Sequence, residues 1–471
     1  MKYNTETIKE LAQQVRQAFQ GAVLQHQEKE LRIAEIESGL REMLREIGAE
    51  ALSQILSTTE ETPVAELPCK CGGSLHYQRQ RTATVTSVFG RINYDRAYYA
   101  GCSCGQGRAP LDQKYGLEPG AMTSGLAALL SLAGIEFGFE ESRKWLKAYL
   151  LFDISENTVR SETEGLGALQ AQQEKVLSKK YQTEEYLQAR LREGGPRPRR
   201  LYGSIDAAKV RIEPRPKDGK KPKKEEDWRD LKVGCWYEAE PVPSAQRSKR
   251  HRHKQARGQE VLRAKNMRYF CDILEADKFG ELLWASGCAH LADLAAELVF
   301  VCDGAVWIWK LIEHYFPHAI QIVESGRCAS YHWYHAADHL KRLALAVFST
   351  EPPRTEWLEQ VLEDLWQGHI PEVVHACECL APHCPEAEKE STYFTNNEHR
   401  MQYKKFRSAG YLIGSGTVES ACKQIVTQRL KKPGAQWNVA GAVQTAKARA
   451  AWLSGEWEDL CAQRTALPLA I

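Results

Sequence analysis

Apolar residues recur every three or four positions near the start of the chain: Ile8, Leu11, Val15 and Phe19, then Ile33, Ile36, Leu40, Met43 and Ile47. The spacing predicts helix to about residue 56, interrupted at Gly21 and Gly39, and a stripe this narrow suits a helical hairpin or an oligomer seam. The linker STTEETPVAELP is polar and contains proline. Beyond it the period changes to alternation in TATVTSVFGRINYDRAYYAGCSCGQG, which reads as strands. Helical spacing returns from Pro119 to about Gly167, where FDISENTVRSETEGLG offers Ser155 or Asn157 as a cap. A helix, a short turn and a capped polar helix resemble a helix-turn-helix, although most such pairs simply pack. A charged connector helix and a Pro/Arg linker fill residues 168–199.

After Arg200 the pattern is that of a sheet. RRLYGSIDAAKVRIE, LKVGCWYEAE and NMRYFCDIL read as strands, and LAAELVFVCDGAVWIWKLIEHYFP as a buried strand feeding a helix. HAIQIVE is a further strand, leading to the helix YHWYHAADHLKRLALAV, and residues 342–405 look wholly helical. Strands first, then strands alternating with helices, predict an α/β fold with a mixed sheet. The last segment, YLIGSGTVESACKQIV, predicts a helix with Val418, Ala421, Cys422, Ile425 and Val426 on its core face and Ser415 as its cap. Taken alone, Glu419 on that helix reads as a surface acid paired with Lys423.

The 471 residues allow two to four domains, and 43% hydrophobic with 26% charged residues is an ordinary globular composition. The net charge of +2 hides a local excess, because Arg197–Arg268 holds 22 Lys/Arg against 10 Asp/Glu. A basic block in a near-neutral chain points to a polyanion, with a solvated basic loop as the plain alternative. The start, MKYNTETIKELAQQ, is polar, and GLAALLSLAGIEFGF is broken by Glu136. Neither a secretory signal nor a membrane span is expected, so a cytoplasmic location is.

Fourteen cysteines without an export signal point to thiols and metal rather than disulfides. Cys69 and Cys71, and Cys102 and Cys104, form two C-x-C pairs beside glycines at the ends of strands. Four thiolates on adjacent turns suit one tetrahedral structural Zn²⁺ in a zinc ribbon, with His76 a possible substitute ligand.

Asp206 lies inside a strand, Asp303 ends an apolar strand before Gly304, and Glu419 opens the last helix. Acids on two strands and one helix can converge on two divalent cations, and hard oxygen ligands favour Mg²⁺ or Mn²⁺. HWYHAADH has histidines at zinc-like spacing but lacks the HExxH frame.

The segments SIDAAKVRI, WRDLKVGCWYE, VCDGAVWIW, WYHAADHL, NNEHRMQY and LIGSGTVESACKQIVTQRLK occur in that order between residues 66 and 454. In them the chain resembles the DDE transposases of the ISKra-type bacterial insertion sequences. The resemblance implies an RNase H-like catalytic domain over 200–454 with an all-helical insertion before the last acid. It implies Asp206, Asp303 and Glu419 as a metal-binding catalytic triad, with His335 supporting them. It departs at His332, where the family carries an acid. The implied activity is cleavage of element ends and joining of the 3′-OH to target DNA. Lys220, Lys221, Lys223, Lys224, Arg250, Arg252 and Lys254 in the loops, and Arg429, Lys431 and Lys432 after the last helix, are the expected DNA contacts. The partners would be terminal inverted repeats, target DNA near the nucleoid and a second copy of the chain. The expected domains before the catalytic one are an oligomerisation segment over 1–60, the zinc ribbon over 66–112 and the helix-turn-helix-like region over 118–167. A zinc-ribbon regulator on an inactive scaffold and a host RNase H-like nuclease are the rival readings.

Overall fold

The structure, a computed structural model, describes residues 13, 16, 17, 20, 32–58, 63–192, 197–213, 228–246, 261–325, 336–414 and 416–466. The chain divides into a smaller unit of residues 1–130, 143–156 and 468–471, and a larger one of residues 131–142 and 157–467.

In the smaller unit, helix α1 (Ile33–Thr58) packs on strand β3 (Gly90–Ala100), the outer strand of an antiparallel sheet with β1 (Glu66–Pro68) and β2 (Ser74–Ser87). Alternation on β3 buries Ile92 and Tyr94 and exposes Arg91, Asn93 and Asp95. With Leu56, Ala83, Val85 and Leu111 these form the core of this unit. The helix continues through Gly39, correcting the expected break: a single glycine costs a helix only about 1 kcal/mol, which the packed face offsets. Helix α2 (Pro110–Tyr115) supplies Asp112, whose carboxylate accepts from the Tyr94 hydroxyl (2.7 Å) and pairs with buried Arg96 (3.3 Å).

Helices α3 (Ser124–Glu136), α4 (Phe139–Leu150), α5 (Glu156–Tyr181) and α6 (Glu184–Arg192) follow. The expected boundary at 167/168 falls inside α5, which runs through it unbroken, and residues 157–467 belong to the larger unit. The 118–167 region is therefore not a unit of its own.

The larger unit is built on a five-stranded mixed sheet. Strands β4 (Arg200–Arg211), β5 (Trp228–Pro241) and β6 (Leu262–Asp272) run antiparallel in sequence. After helix α7 (Ala276–Ala289), strand β7 (Glu297–Cys302) pairs parallel with β4; after α8 (Val306–Tyr315), β8 (Ile320–Val323) pairs parallel with β7. The order across the sheet is β6-β5-β4-β7-β8. One face is aromatic: Trp236 lies 6.3 Å from Phe270, 5.5 Å from Phe300 and 5.7 Å from Phe316 between ring centroids. Large rings of this kind dominate the burial of a core.

Helices α9 (Ala336–Val347), α10 (Glu351–Gln367), α11 (Ile370–Glu378), α12 (Pro385–Asn396) and α13 (Tyr403–Ser408) follow β8, in the region whose pattern reads as helical. Buried Arg400 ties it to the sheet edge, donating to Gln321 Oε1 (2.7 Å) and Asn397 Oδ1 (3.0 Å), pairing with Glu313 and lying over the Trp309 ring.

Helix α14 (Gly416–Ala421) opens the last motif, and its continuation Cys422–Thr427 winds as a π-helix before Gln428–Leu430. Val418, Ala421, Cys422, Ile425 and Val426 are all buried, as their spacing predicts. The wide turn survives because Arg449 on α15 (Val439–Leu453) donates from Nε to the Gln424 carbonyl (2.6 Å), supplying a partner that the ordinary ladder lacks. Helix α16 (Trp457–Ala466) ends the described chain. Lys447 on α15 is buried, with Asp272 Oδ2 at 3.0 Å and Glu174 beside it. No helix of the described residues is long and apolar enough to cross a membrane.

Candidate functional site

Two places gather chemistry, one in each unit. In the smaller unit the turns after β1 and β3 bring Cys69, Cys71, Cys102 and Cys104 together, their ligand atoms all within 4.8 Å of one another. The Sγ separations are 3.4 Å for Cys69–Cys71, 3.5 Å for Cys69–Cys104 and 3.3 Å for Cys71–Cys102. Four sulfurs around one Zn²⁺ at about 2.3 Å sit about 3.8 Å apart, so the thiols need only open slightly to take the ion. Gly73 is required at this spot, because a Cβ there would lie 2.8 Å from the Cys102 Sγ. The Cys104 backbone N–H, and next the Cys71 side chain, pull the Cys102 thiol down to about 6, while the neighbouring thiols push Cys71 up to about 12 and Cys104 above its ordinary range, so without a cation the four sulfurs do not all ionise together. The cluster could therefore bind a metal such as zinc. His76 is exposed and is not in the group; the four thiols already complete a tetrahedron.

In the larger unit the three acids lie on β4, directly after β7 and on helix α14. Tyr202 pairs with Val299 and Gly203 with Phe300, an offset of 97, and Asp303 follows Asp206 by the same 97. The printed pairing ends at Gly203–Phe300; continued three residues, the same register would bring Asp206 and Asp303 level in one row at the C-terminal end of the parallel pair. The Ile205 N–H donates to the Cys302 Sγ (3.3 Å) and carries the pairing up to that row. Burial pushes the Cys302 thiol well above its ordinary range, and the charges of Asp303 and Asp206 add to the effect. Helix α14 packs across β4 and β5. Cys422, one turn beyond Glu419, hydrogen-bonds the Asp206 side chain; burial first, then that charge, raises its thiol far above the ordinary value. Residues three apart share a helix face, so Glu419 is carried to the same end of β4.

All three carboxylates are half-buried. Asp206 Oδ1 accepts from the Ala207 N–H (2.7 Å) and Asp303 Oδ1 from the Ala305 N–H (2.9 Å). The three acids do not close into a single cluster within 4.8 Å; among the described residues only the cysteines do.

Sequence reasoning missed two residues here. Glu324, 1% exposed, follows β8 and extends the row, since Val323 pairs with Cys302. Its signal was an acid directly after the apolar run IQIV. Tyr393 has no local signal at all. Its phenol is held above the ordinary range by burial and next by the charge of Asp303.

Of the expected DNA contacts, Lys220, Lys221, Lys223, Lys224, Arg250, Arg252 and Lys254 lie outside the described residues, as do His332, His335 and Ser415. Lys431 is exposed, and Lys432 is half-buried with its Nζ 3.3 Å from Glu141. Arg429 is a correction. It is 1% exposed, donates from Nε to the Gly134 carbonyl (2.7 Å) and lies over the rings of Phe139 (4.6 Å) and Trp437 (5.0 Å). Burial, then the Arg449 charge, lowers it to about 10. Such a side chain holds the core and cannot reach a phosphate. Arg429→Ala is expected to cost about 3 kcal/mol in urea unfolding while leaving the salt dependence of DNA binding unchanged.

No protein-family model matches the chain, and a search of curated proteins finds no match.

Proposed function

We propose that the chain is a DDE-type DNA transposase that cuts the ends of an insertion sequence and joins the resulting 3′-OH to target DNA. The observation that carries this reading is the parallel pairing of β4 with β7, whose register, continued three residues, would set Asp206 beside Asp303, together with the packing of the Glu419 helix on β4 and β5. The strand order β6-β5-β4-β7-β8 and the helical insertion before Glu419 support an RNase H-like catalytic domain.

The donor set fits hard divalent cations, because carboxylate oxygens suit Mg²⁺ or Mn²⁺. Acids that share two ions about 3.5–4 Å apart need not lie within one ion's reach of each other, so their spread is compatible with a pair. Bound there, the cations would stabilise the attacking and leaving oxygens of an in-line displacement. The protein's own part is positional. Local N–H bonds hold Asp206 and Asp303, and the Cys422 thiol holds Asp206 against the helix of Glu419. The four-cysteine cluster, with one Zn²⁺, would stiffen the end of the hairpin for contact with DNA, and the basic loops would neutralise phosphates.

The test is metal-dependent nicking. Purified protein with DNA carrying the element's ends is expected to nick one strand at each end in Mg²⁺ or Mn²⁺ and to be inert in EDTA. Tight binding with no nicking under either metal would favour a DNA-binding regulator on an inactive scaffold.

A further inference from the structure

The helical insertion brings one polar group to the acid row that the pattern of acids does not explain. The Tyr393 hydroxyl on α12 is buried and has no hydrogen-bond partner among the described residues. It sits directly over the turn after Asp303: a Cβ at Gly304 would lie 2.4 Å from it, so Gly304 leaves the space this hydroxyl fills. The ring is fixed from behind. It stacks on His339 with centroids 4.1 Å apart and planes 12° from parallel, and His339 Nδ1 is 2.6 Å from Glu390 Oε2. The Tyr393 carbonyl accepts from Asn397 Nδ2 (2.9 Å), and Asn397 is held in turn by Arg400 at the edge of the sheet. A hydroxyl buried without a partner costs about 1–3 kcal/mol, so one held this firmly calls for a partner that arrives with a ligand.

We propose that Tyr393 is a further residue of the acid site, its hydroxyl donating to an oxygen ligand of a divalent cation at Asp303. In the free protein that oxygen is a water; with DNA bound it is a phosphate oxygen. The inference rests on the reading of Asp206, Asp303 and Glu419 as a cation site. No bond is made or broken at the phenol, which stays a hydrogen-bond donor throughout. It also gives the insertion a task, since α12 delivers the donor and Arg400 fixes the position of α12.

The test titrates full-length, zinc-loaded protein with Mn²⁺ by calorimetry, comparing wild type, Tyr393→Phe and Asp303→Asn, and measures single-turnover nicking for each. Phenylalanine keeps the stack on His339, so the thermal melt should stay at the wild-type position. Tyr393→Phe is expected to weaken Mn²⁺ binding about three- to tenfold and to slow nicking by at least as much, while Asp303→Asn loses the Mn²⁺ isotherm. If Asp303→Asn loses Mn²⁺ and Tyr393→Phe matches wild type in affinity, the role of Tyr393 is overturned and the acid site stands, whatever happens to nicking. If Asp303→Asn binds Mn²⁺ like wild type, the acid site falls and the role of Tyr393 falls with it.

Discussion

Asp206→Asn and Asp303→Asn should each lower nicking of element-end DNA by about 10³-fold or more, with DNA affinity and melting temperature close to wild type. Both side chains keep their shape and their local backbone hydrogen bonds as asparagine, so the change removes charge at the row and little else. An anionic oxygen ligand cannot be replaced by an amide carbonyl without losing most of the hold on a hard cation. On the proposed reading the loss would belong in the rate, because cations held by these acids would stabilise the developing charge on the reacting oxygens. Glu419→Gln should behave alike, and a double substitution should fall little further than a single one, as expected of acids that would act as a unit under the proposed reading. Single-turnover kinetics at saturating protein, with binding followed separately by gel shift, checks each variant. A tenfold loss or less in the Asp303 variant would remove the acid row from the chemistry.

The second large effect is expected at the cysteines. Purified protein should carry about one zinc per chain, and Cys102→Ser or prolonged chelation should remove it. Structural zinc contributes about 10–16 kcal/mol of apparent binding energy in small zinc domains. Here the hairpin keeps its own core of Leu56, Val85, Ile92 and Tyr94, so the damage should stay local. Hydrogen exchange should speed up around residues 66–76 and 98–108, where Leu75, Ala97, Tyr99 and Cys102 pack together, and remain slow around Ile92. Sequence-specific binding of element ends should fall while binding of random DNA persists, because phosphate contacts position and base contacts specify. Metal analysis alongside exchange mass spectrometry reads both arms. A zinc-free wild type of unchanged exchange would leave the four thiols without a metal role.

The sheet was legible because its signals are local. VFVC and IQIV read as buried strands, and GRINYDRAYYA alternates, from neighbours alone. Asp206 and Asp303 were legible only as an acid within one strand and an acid at the end of another; the parallel pairing of β4 with β7 is a long-range fact. The cysteine site was legible because each half is a close pair at a glycine turn. Arg429 was misread for the opposite reason. In sequence it follows a catalytic-looking helix beside Lys431 and Lys432, yet its partners Gly134, Phe139 and Trp437 come from separated segments. Tyr393 left no trace for the same cause, since Gly304 and His339 reach it only through tertiary packing. The π-turn after Glu419 likewise depends on Arg449, which no local propensity anticipates.

Strand joining tests the central claim most directly. A duplex ending in a pre-cut element 3′-OH is incubated with the protein, supercoiled plasmid and Mg²⁺, and the products are sequenced across the junction. A transposase should join that 3′-OH covalently to plasmid phosphates, and Glu419→Gln should yield no junctions. Nicked plasmid without junctions from the wild type would make the chain a hydrolytic nuclease and contradict the account.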